Sequence, residues 1–349
     1  MSWTRREMLA ASAGPLAAML VQTDSFAETP RPRMGVVIHS YGICKANDKE
    51  RSFDDPLTFL DYCRSLGAGG VQTSLGVRDD AYAAKIQDRL KTHKLYVEGS
   101  IALPRDKADV ERFTAEVRTA KQCGAKLFRT VLMNGRRYEV FDCAEAYRKF
   151  FEQAKQSLKL ALPVAEKHEI RMAIENHKDL QAPDLLDLIK KLDSPLVGVC
   201  IDTGNNIALL ETPQETVDVL APLAFTMHIK DMGVEEYKDG FLLAEVPLGT
   251  GFLDLSKIVA TVRKVLPEIT LNLEMMTRDP LKVPCLTPKY WATLEHIPGR
   301  RLAEMFALVR AKAAKKPLPR ISQLNKDEQL KREDENVREC LRYALEKLD

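Results

Sequence analysis

The sequence predicts an α/β fold: a (β/α)8 barrel of the TIM type with an extended loop after the seventh strand and an extra C-terminal helix. Three observations lead there. Eight short apolar runs alternate with longer segments of helical period over about 240 residues, the size expected of such a barrel. No glycine-rich phosphate fingerprint follows the first run, which counts against the rival doubly wound sheet. Four successive runs, the fifth to the eighth, end on a carboxylate or an imidazole, at the strand ends where barrels of this kind carry their chemistry.

Taken in chain order, residues 1–27 stand apart. They hold a twin arginine (Arg5, Arg6), an apolar run from Met8 to Val21, and small residues at Ser25 and Ala27 suited to cleavage. That run is shorter than the roughly 20 residues a membrane span needs, and the combination resembles a bacterial twin-arginine signal peptide. It predicts export to the periplasm of a protein already folded, with no stable membrane anchor. The barrel is expected over 34–315. Its strands are "MGVVIHS" (34–40), "GGVQTS" (69–74), "LYVEGS" (95–100), "KLFRTVL" (126–132), "RMAIEN" (171–176), "LVGVCID" (196–202), "FTMHIK" (225–230) and "ITLNLEM" (269–275). Between them, "DPLTFLDYCRSLG" places Leu57, Leu60 and Leu66 at helical spacing and stops at Gly67, and 144–168, 182–192, 254–266 and 301–313 read likewise. After the seventh run, "DGFLLAEVPLGTGFLD" predicts a loop or short hairpin over the strand tops. Residues 316–349 are the linker, within "KKPLPR" (315–320), and a helix that Asn325 and Glu328 would cap. Its stripe of Leu330, Val337, Leu341, Leu345 and Leu348 is expected to dock on the barrel, the alternative being a homodimer contact.

Composition narrows the partners. Of 349 residues, 52 are basic and 50 acidic, so no electrostatic surplus favours nucleic acid. Seven cysteines without a CxxC pair argue against a disulfide framework and against a zinc knuckle. A small-molecule substrate is left as the expected partner.

The strand ends carry the functional reading. Glu175, Asp202, His228 and Glu274 close the fifth to eighth runs at intervals of 27, 26 and 46 residues, the last being one βα unit plus the long loop. Side chains there converge on the barrel axis, and three carboxylates so close together need a cation to ionise together. Period-two alternation puts Lys230 on the same side as His228, and His177 on the same side as Glu175.

These segments, "AIENHKD", "VCIDTGN", "MHIKD", "PLGTG" and "NLE", resemble the xylose isomerase-like TIM-barrel superfamily of sugar isomerases and epimerases. The resemblance implies that Glu175, Asp202, His228 and Glu274 hold one divalent metal ion. For this oxygen-rich set Mn²⁺ comes first, with Mg²⁺, Co²⁺ and Zn²⁺ as alternatives. It implies further that Glu175 and Glu274 flank a sugar carbon and move its proton, with Lys230 donating to the oxygen where charge develops. One departure stands out: epimerases of this type often carry a histidine three positions after the aspartate, and here that position is Asn205. Asn205, His177, His39, Glu98 and Arg129 are the candidate substrate contacts, the last three expected at the same rim. The predicted function is a metal-dependent sugar isomerase or epimerase that removes a proton next to a carbonyl and passes through an enediolate. A 3-keto-glycoside lyase or hydratase using the same site, and a sugar-binding barrel without chemistry, are the alternatives. A DNA-repair nuclease on this barrel would need more histidines than six and a basic face.

Overall fold

Eight parallel strands close into a barrel in the computed structural model, which describes residues 33–48 and 50–349. They are β1 (Gly35–Val37), β2 (Gly70–Thr73), β3 (Tyr96–Ser100), β4 (Leu127–Thr130), β5 (Arg171–Glu175), β6 (Val197–Asp202), β7 (Ala224–Ile229) and, after an excursion, β10 (Thr270–Leu273). Each pairs in parallel with its neighbour, and β10 closes the ring between β7 and β1. The expected export signal lies outside the described residues.

Alternation decides what each strand presents. On β5 the outward Met172 and Ile174 join the large core between barrel and helices, while Ala173 turns inward. On β7 Met227 and Ile229 take the outward role, and on β10 Leu271 and Leu273 do so. The inward partners of those residues are Glu175, Thr226, His228, Asn272 and Glu274, all buried. Burying so many polar groups in the barrel is tolerable only where they pair with one another. Close packing inside the ring also explains a glycine: a Cβ on Gly35 would stand 2.2 Å from the Tyr96 hydroxyl, which crosses over to donate to the Leu271 carbonyl.

The long excursion after β7 is a hairpin, β8 (Asp231–Tyr237) and β9 (Gly240–Val246), extended by β11 (Leu281–Val283) into a three-stranded antiparallel sheet. The "PLGTG" turn is tied to the end of β7 through Asp231, whose carboxylate accepts from the backbone N–H of Gly249, Gly251 and Leu253 at 2.9, 2.9 and 3.1 Å.

Two helices differ from the sequence expectation. The helix Gly299–Ala311 packs Met305 and Val309 against the hairpin sheet, with Met232, Phe241 and Val283, and not against the barrel wall. The extra C-terminal helix, Lys326–Lys347, covers the wall beside β10 and β1 and buries Val337, Cys340, Leu341 and Ala344 in the main core. Its capping pair forms as expected. Leu345 leaves the stripe, 56% exposed, and Leu330 is half-buried; Cys340 and Ala344 complete the apolar face instead. Glu333 secures the helix by accepting from the N–H groups of Ile43 and Cys44 at 2.7 and 2.8 Å. Among the described residues no helix is long and apolar enough to cross a membrane, and every described cysteine is free.

Candidate metal centre and cleft

Glu175, Asp202, His228 and Glu274 meet at the C-terminal mouth of the barrel, with one potential ligand atom from each lying within 4.8 Å of the others. Neighbouring strand ends bring them there in register, Asp202 opposite His228 and Asn272 opposite His228. The "DTGN" turn then fixes Asp202: the backbone N–H groups of Gly204 and Asn205 both donate to its Oδ1, at 2.9 and 2.7 Å, leaving Oδ2 to face Lys230.

His228 is set from below. Its Nε2 lies 2.7 Å from Gln72 Oε1, and the Gln72 amide is oriented because its Nε2 donates to Glu98 at 2.9 Å. Glu98 also accepts from Thr226 and from Asn272, each at 3.0 Å, so it acts as a fixed acceptor. The imidazole proton therefore belongs on Nε2, and the buried Nδ1 is left without a hydrogen-bond partner, 3.5 Å from Glu175 and 3.6 Å from Glu274. Burial opposes charge on this ring, but the Glu274 and Glu175 carboxylates overcome that and lift its pKa well above the ordinary value. Nδ1 is thus where positive charge is wanted, a place that a proton or a divalent cation fills. A free nitrogen lone pair and three convergent carboxylates fit a divalent ion of the oxygen-preferring kind. Cys200 lies within reach of the same atoms, but burial pushes its thiol up to about 11, so it does not compete as a thiolate.

The charge of the three carboxylates is balanced more fully than the sequence suggests. The Arg129 guanidinium pairs with Glu175 Oε2. Lys230 spans two of the set, 2.8 Å from Asp202 and 2.7 Å from Glu274. Burial alone would raise the pKa of Glu175, yet Arg129 and His228 bring it down to about 2, while Glu274 falls well below the usual range through Lys230 and His228. Asp202 goes the other way, pushed up to about 6 by burial despite Lys230. Lys230 itself is held in its protonated form by Asp202 and Glu274 against the pull of burial. In that form it is a donor. Side-chain cations supply part of the neutralisation, so the orientation of His228, more than the crowding of carboxylates, marks the metal position.

Of the remaining predicted contacts, His39, Arg129 and His177 line a cleft of about 220 Å³ above the four ligands. His39 sits on a 3-10 turn after β1 and not on the strand itself. His177 donates from Nδ1 to the Met133 carbonyl at 3.1 Å, and burial lowers its pKa to about 3. Two predicted contacts take other roles. Glu98 does not reach the rim: it points into the barrel a layer below, bonded to Gln72, Thr226 and Asn272, because residue 98 lies mid-strand while the rim begins after Ser100. Asn205 is buried, donates to Glu175 Oε1 at 3.0 Å, and receives Lys230 at 3.4 Å and Lys178, so it steadies the ligands and two lysines and does not line the cleft. The sequence reading missed Gln72, Lys178 and Arg278. Inward parity with its strand partner Glu98 was a usable sign for Gln72; Lys178, in left-handed backbone (φ 63°), follows no periodicity that could reveal its direction.

Residues 60–293 match the family described as Xylose isomerase-like TIM barrel. The chain belongs to this family. A curated relative, the 3-oxo-isoapionate decarboxylase of Pectobacterium atrosepticum, is 32% identical over 114 residues, which is 32% of this chain and 42% of that protein, so the match spans less than half of the relative. Among solved structures, a xylose isomerase-like TIM barrel protein from Mycobacterium smegmatis in complex with magnesium superposes with a TM-score of 0.52 at 18% identity, covering 79% of this chain and 98% of that one. The 3-keto-D-glucoside 4-epimerase of E. coli gives 0.50 at 12%, covering 80% and 100%. At these identities the two structures are likenesses of fold.

Proposed function

We propose that this xylose isomerase-like barrel is a divalent-metal-dependent enzyme that forms an enediolate next to the ketone of a small sugar, giving isomerisation or epimerisation. The observation that carries the reading is the convergence of Glu175 and Glu274 on His228 Nδ1, at 3.5 and 3.6 Å, both held ionised and with Glu274 lining the cleft. A cation held by Glu175, Asp202, His228 Nδ1 and Glu274 would supply Lewis-acid polarisation of the carbonyl. Glu175 and Glu274 approach the α-carbon from two directions, so one can take its proton and the other return one to the opposite face. Arg129 and Asn205 hold the two oxygens of Glu175 in place. Lys230, kept cationic, offers its ammonium to the oxygen on which charge develops. His39 and His177 line the walls.

Deuterium uptake at the α-carbon, followed by NMR in D₂O with Mn²⁺-loaded protein and a panel of ketoses and 3-keto-glycosides, tests the reading. Uptake should be at least 100-fold slower in Glu175→Gln and in Glu274→Gln, both retaining the far-UV spectrum of the parent. Uptake at the parental rate in both variants refutes it. A second reading is favoured by the 3-oxo-isoapionate decarboxylase relative: loss of carbon dioxide next to a ketone leaves the same enediolate for Lys230 to stabilise, after which a proton is delivered where the carboxylate stood. Periplasmic residence, proposed on the twin arginine alone, would bring such an enzyme to unphosphorylated sugars.

A further inference from the structure

The cleft is lined by five cationic side chains, Arg129, Arg136, Lys178, Lys230 and Arg278. Four of them have carboxylate partners: Arg129 pairs with Glu175, Arg136 with Glu139 at 2.7 Å, Lys230 with Asp202 and Glu274, and Arg278 with the buried Glu245. Lys178 is the exception. It is 4% exposed, and its ammonium donates to a neutral group, the Asn205 side-chain oxygen Oδ1; no carboxylate lies within ion-pair distance among the described residues. A buried ammonium without an anion is costly. Burial, with Lys230 nearby, brings its pKa down to about 8, which still leaves it mostly charged near neutral pH. The five cations face the five carboxylates Glu139, Glu175, Asp202, Glu245 and Glu274, so a divalent ion at the four-ligand site would leave the cleft with a surplus of positive charge. Nothing in the side chains offsets it.

We propose that Lys178 receives a carboxylate of the substrate, so that the molecule turned over is a small keto sugar acid and not a neutral ketose. The inference rests on the enediolate reading and adds the substrate class. One unpaired ammonium matches the single negative charge of a carboxylate better than the two of a phosphate, and at the helix start that borders the cleft, after Arg136, the Arg137 N–H is already bonded to the Lys178 carbonyl at 3.1 Å. A cleft of about 220 Å³ suits a short carbon chain.

Two matched pairs of probes test this: 2-keto-D-gluconate against D-fructose, and 5-keto-D-gluconate against L-sorbose. Each pair differs only in a carboxylate replacing a hydroxymethyl group, placed beside the ketone in the first and remote from it in the second. Calorimetric titration of Mn²⁺-loaded protein should show at least one acid binding about ten-fold or more tighter than its neutral partner. The ratio should fall below about two in Lys178→Gln and recover in Lys178→Arg, which keeps the charge. Equal affinities within both pairs, no binding of either acid, or a preference that persists in Lys178→Gln overturns the proposal. If Lys178→Gln unfolds, the parental ratios and those of Lys178→Arg still decide it. Deuterium uptake separates the two layers: uptake without acid preference sinks the carboxylate site alone, whereas acid preference without uptake from any probe sinks the enediolate reading and leaves the site standing.

Discussion

Replacing Gln72 by Leu removes the acceptor that holds His228 in its Nε2–H form while leaving all four proposed ligands in the chain. In the parent, Gln72 Oε1 lies 2.7 Å from Nε2, and the other end of the amide is anchored 2.9 Å from Glu98. Both side chains are fully buried, so water does not readily replace the lost partner. An unsatisfied buried donor costs about 1–3 kcal/mol, and the ring can relieve it by giving up the Nε2 proton and keeping the one on Nδ1, where Glu175 and Glu274 stand 3.5 and 3.6 Å away. That proton occupies the nitrogen a metal would use. Removal of outer partners of ligating histidines typically weakens binding about 10- to 100-fold, or about 1.4–2.7 kcal/mol. The assay has two parts. Calorimetric Mn²⁺ and Zn²⁺ titrations should show that loss of affinity in Gln72→Leu, and imidazole ¹⁵N shifts of the metal-free protein should show a ring protonated on both nitrogens in the parent and increasingly on Nδ1 alone in Gln72→Leu. Affinity within two-fold of the parent, together with unchanged nitrogen shifts, would refute the idea that the polar layer beneath the centre sets the ligand.

The C-terminal helix and the buried acids give further expectations. Leu341→Ala should lower unfolding free energy by about 2–3 kcal/mol in urea, since Leu341 sits in the main barrel core; a change under 0.5 kcal/mol would mean that the helix is a loose appendage. Glu333 is buried against two backbone donors, and burial raises its pKa to about 7. Between pH 4.5 and 7 it is protonated in the fold and ionised in the unfolded chain, so its contribution is fully present below 4.5, is lost as pH rises to 7, and is level above that. Glu333→Gln should flatten that decline by up to roughly 3 kcal/mol, the equivalent of the 4.5-to-7 displacement, read from urea midpoints across pH 4–8. An unchanged slope would place the decline in other groups.

The alternation of β and α segments and the strand-end residues were legible because both follow short-range rules. Apolar period and run length fix strands and helices, and parity along a strand fixes which residues face inward. Glu175, Asp202, His228 and Glu274 come together for that reason: each closes its own strand, and barrel closure leaves those ends one place to go. Height along the axis is a different quantity. Parity could point Glu98 inward but could not say whether it reached the rim or the layer beneath, which depends on strand stagger; the structure puts it under His228 with Gln72.

What the sequence determined by itself is the periodic part of this protein: the barrel, the identity and spacing of four candidate ligands, the hairpin region, and the capped amphipathic C-terminal helix. Tertiary structure alone decided which helix covers the wall between β10 and β1, which ion pairs neutralise the centre, which nitrogen of His228 is left free, and that Lys178 turns into the cleft without an anion. Those outcomes depend on contacts between residues tens to hundreds of positions apart, such as Gln72 with His228 or Glu333 with Ile43. No local period encodes such contacts; they exist only once the ring has closed and low-dielectric burial forces every polar group to find a partner.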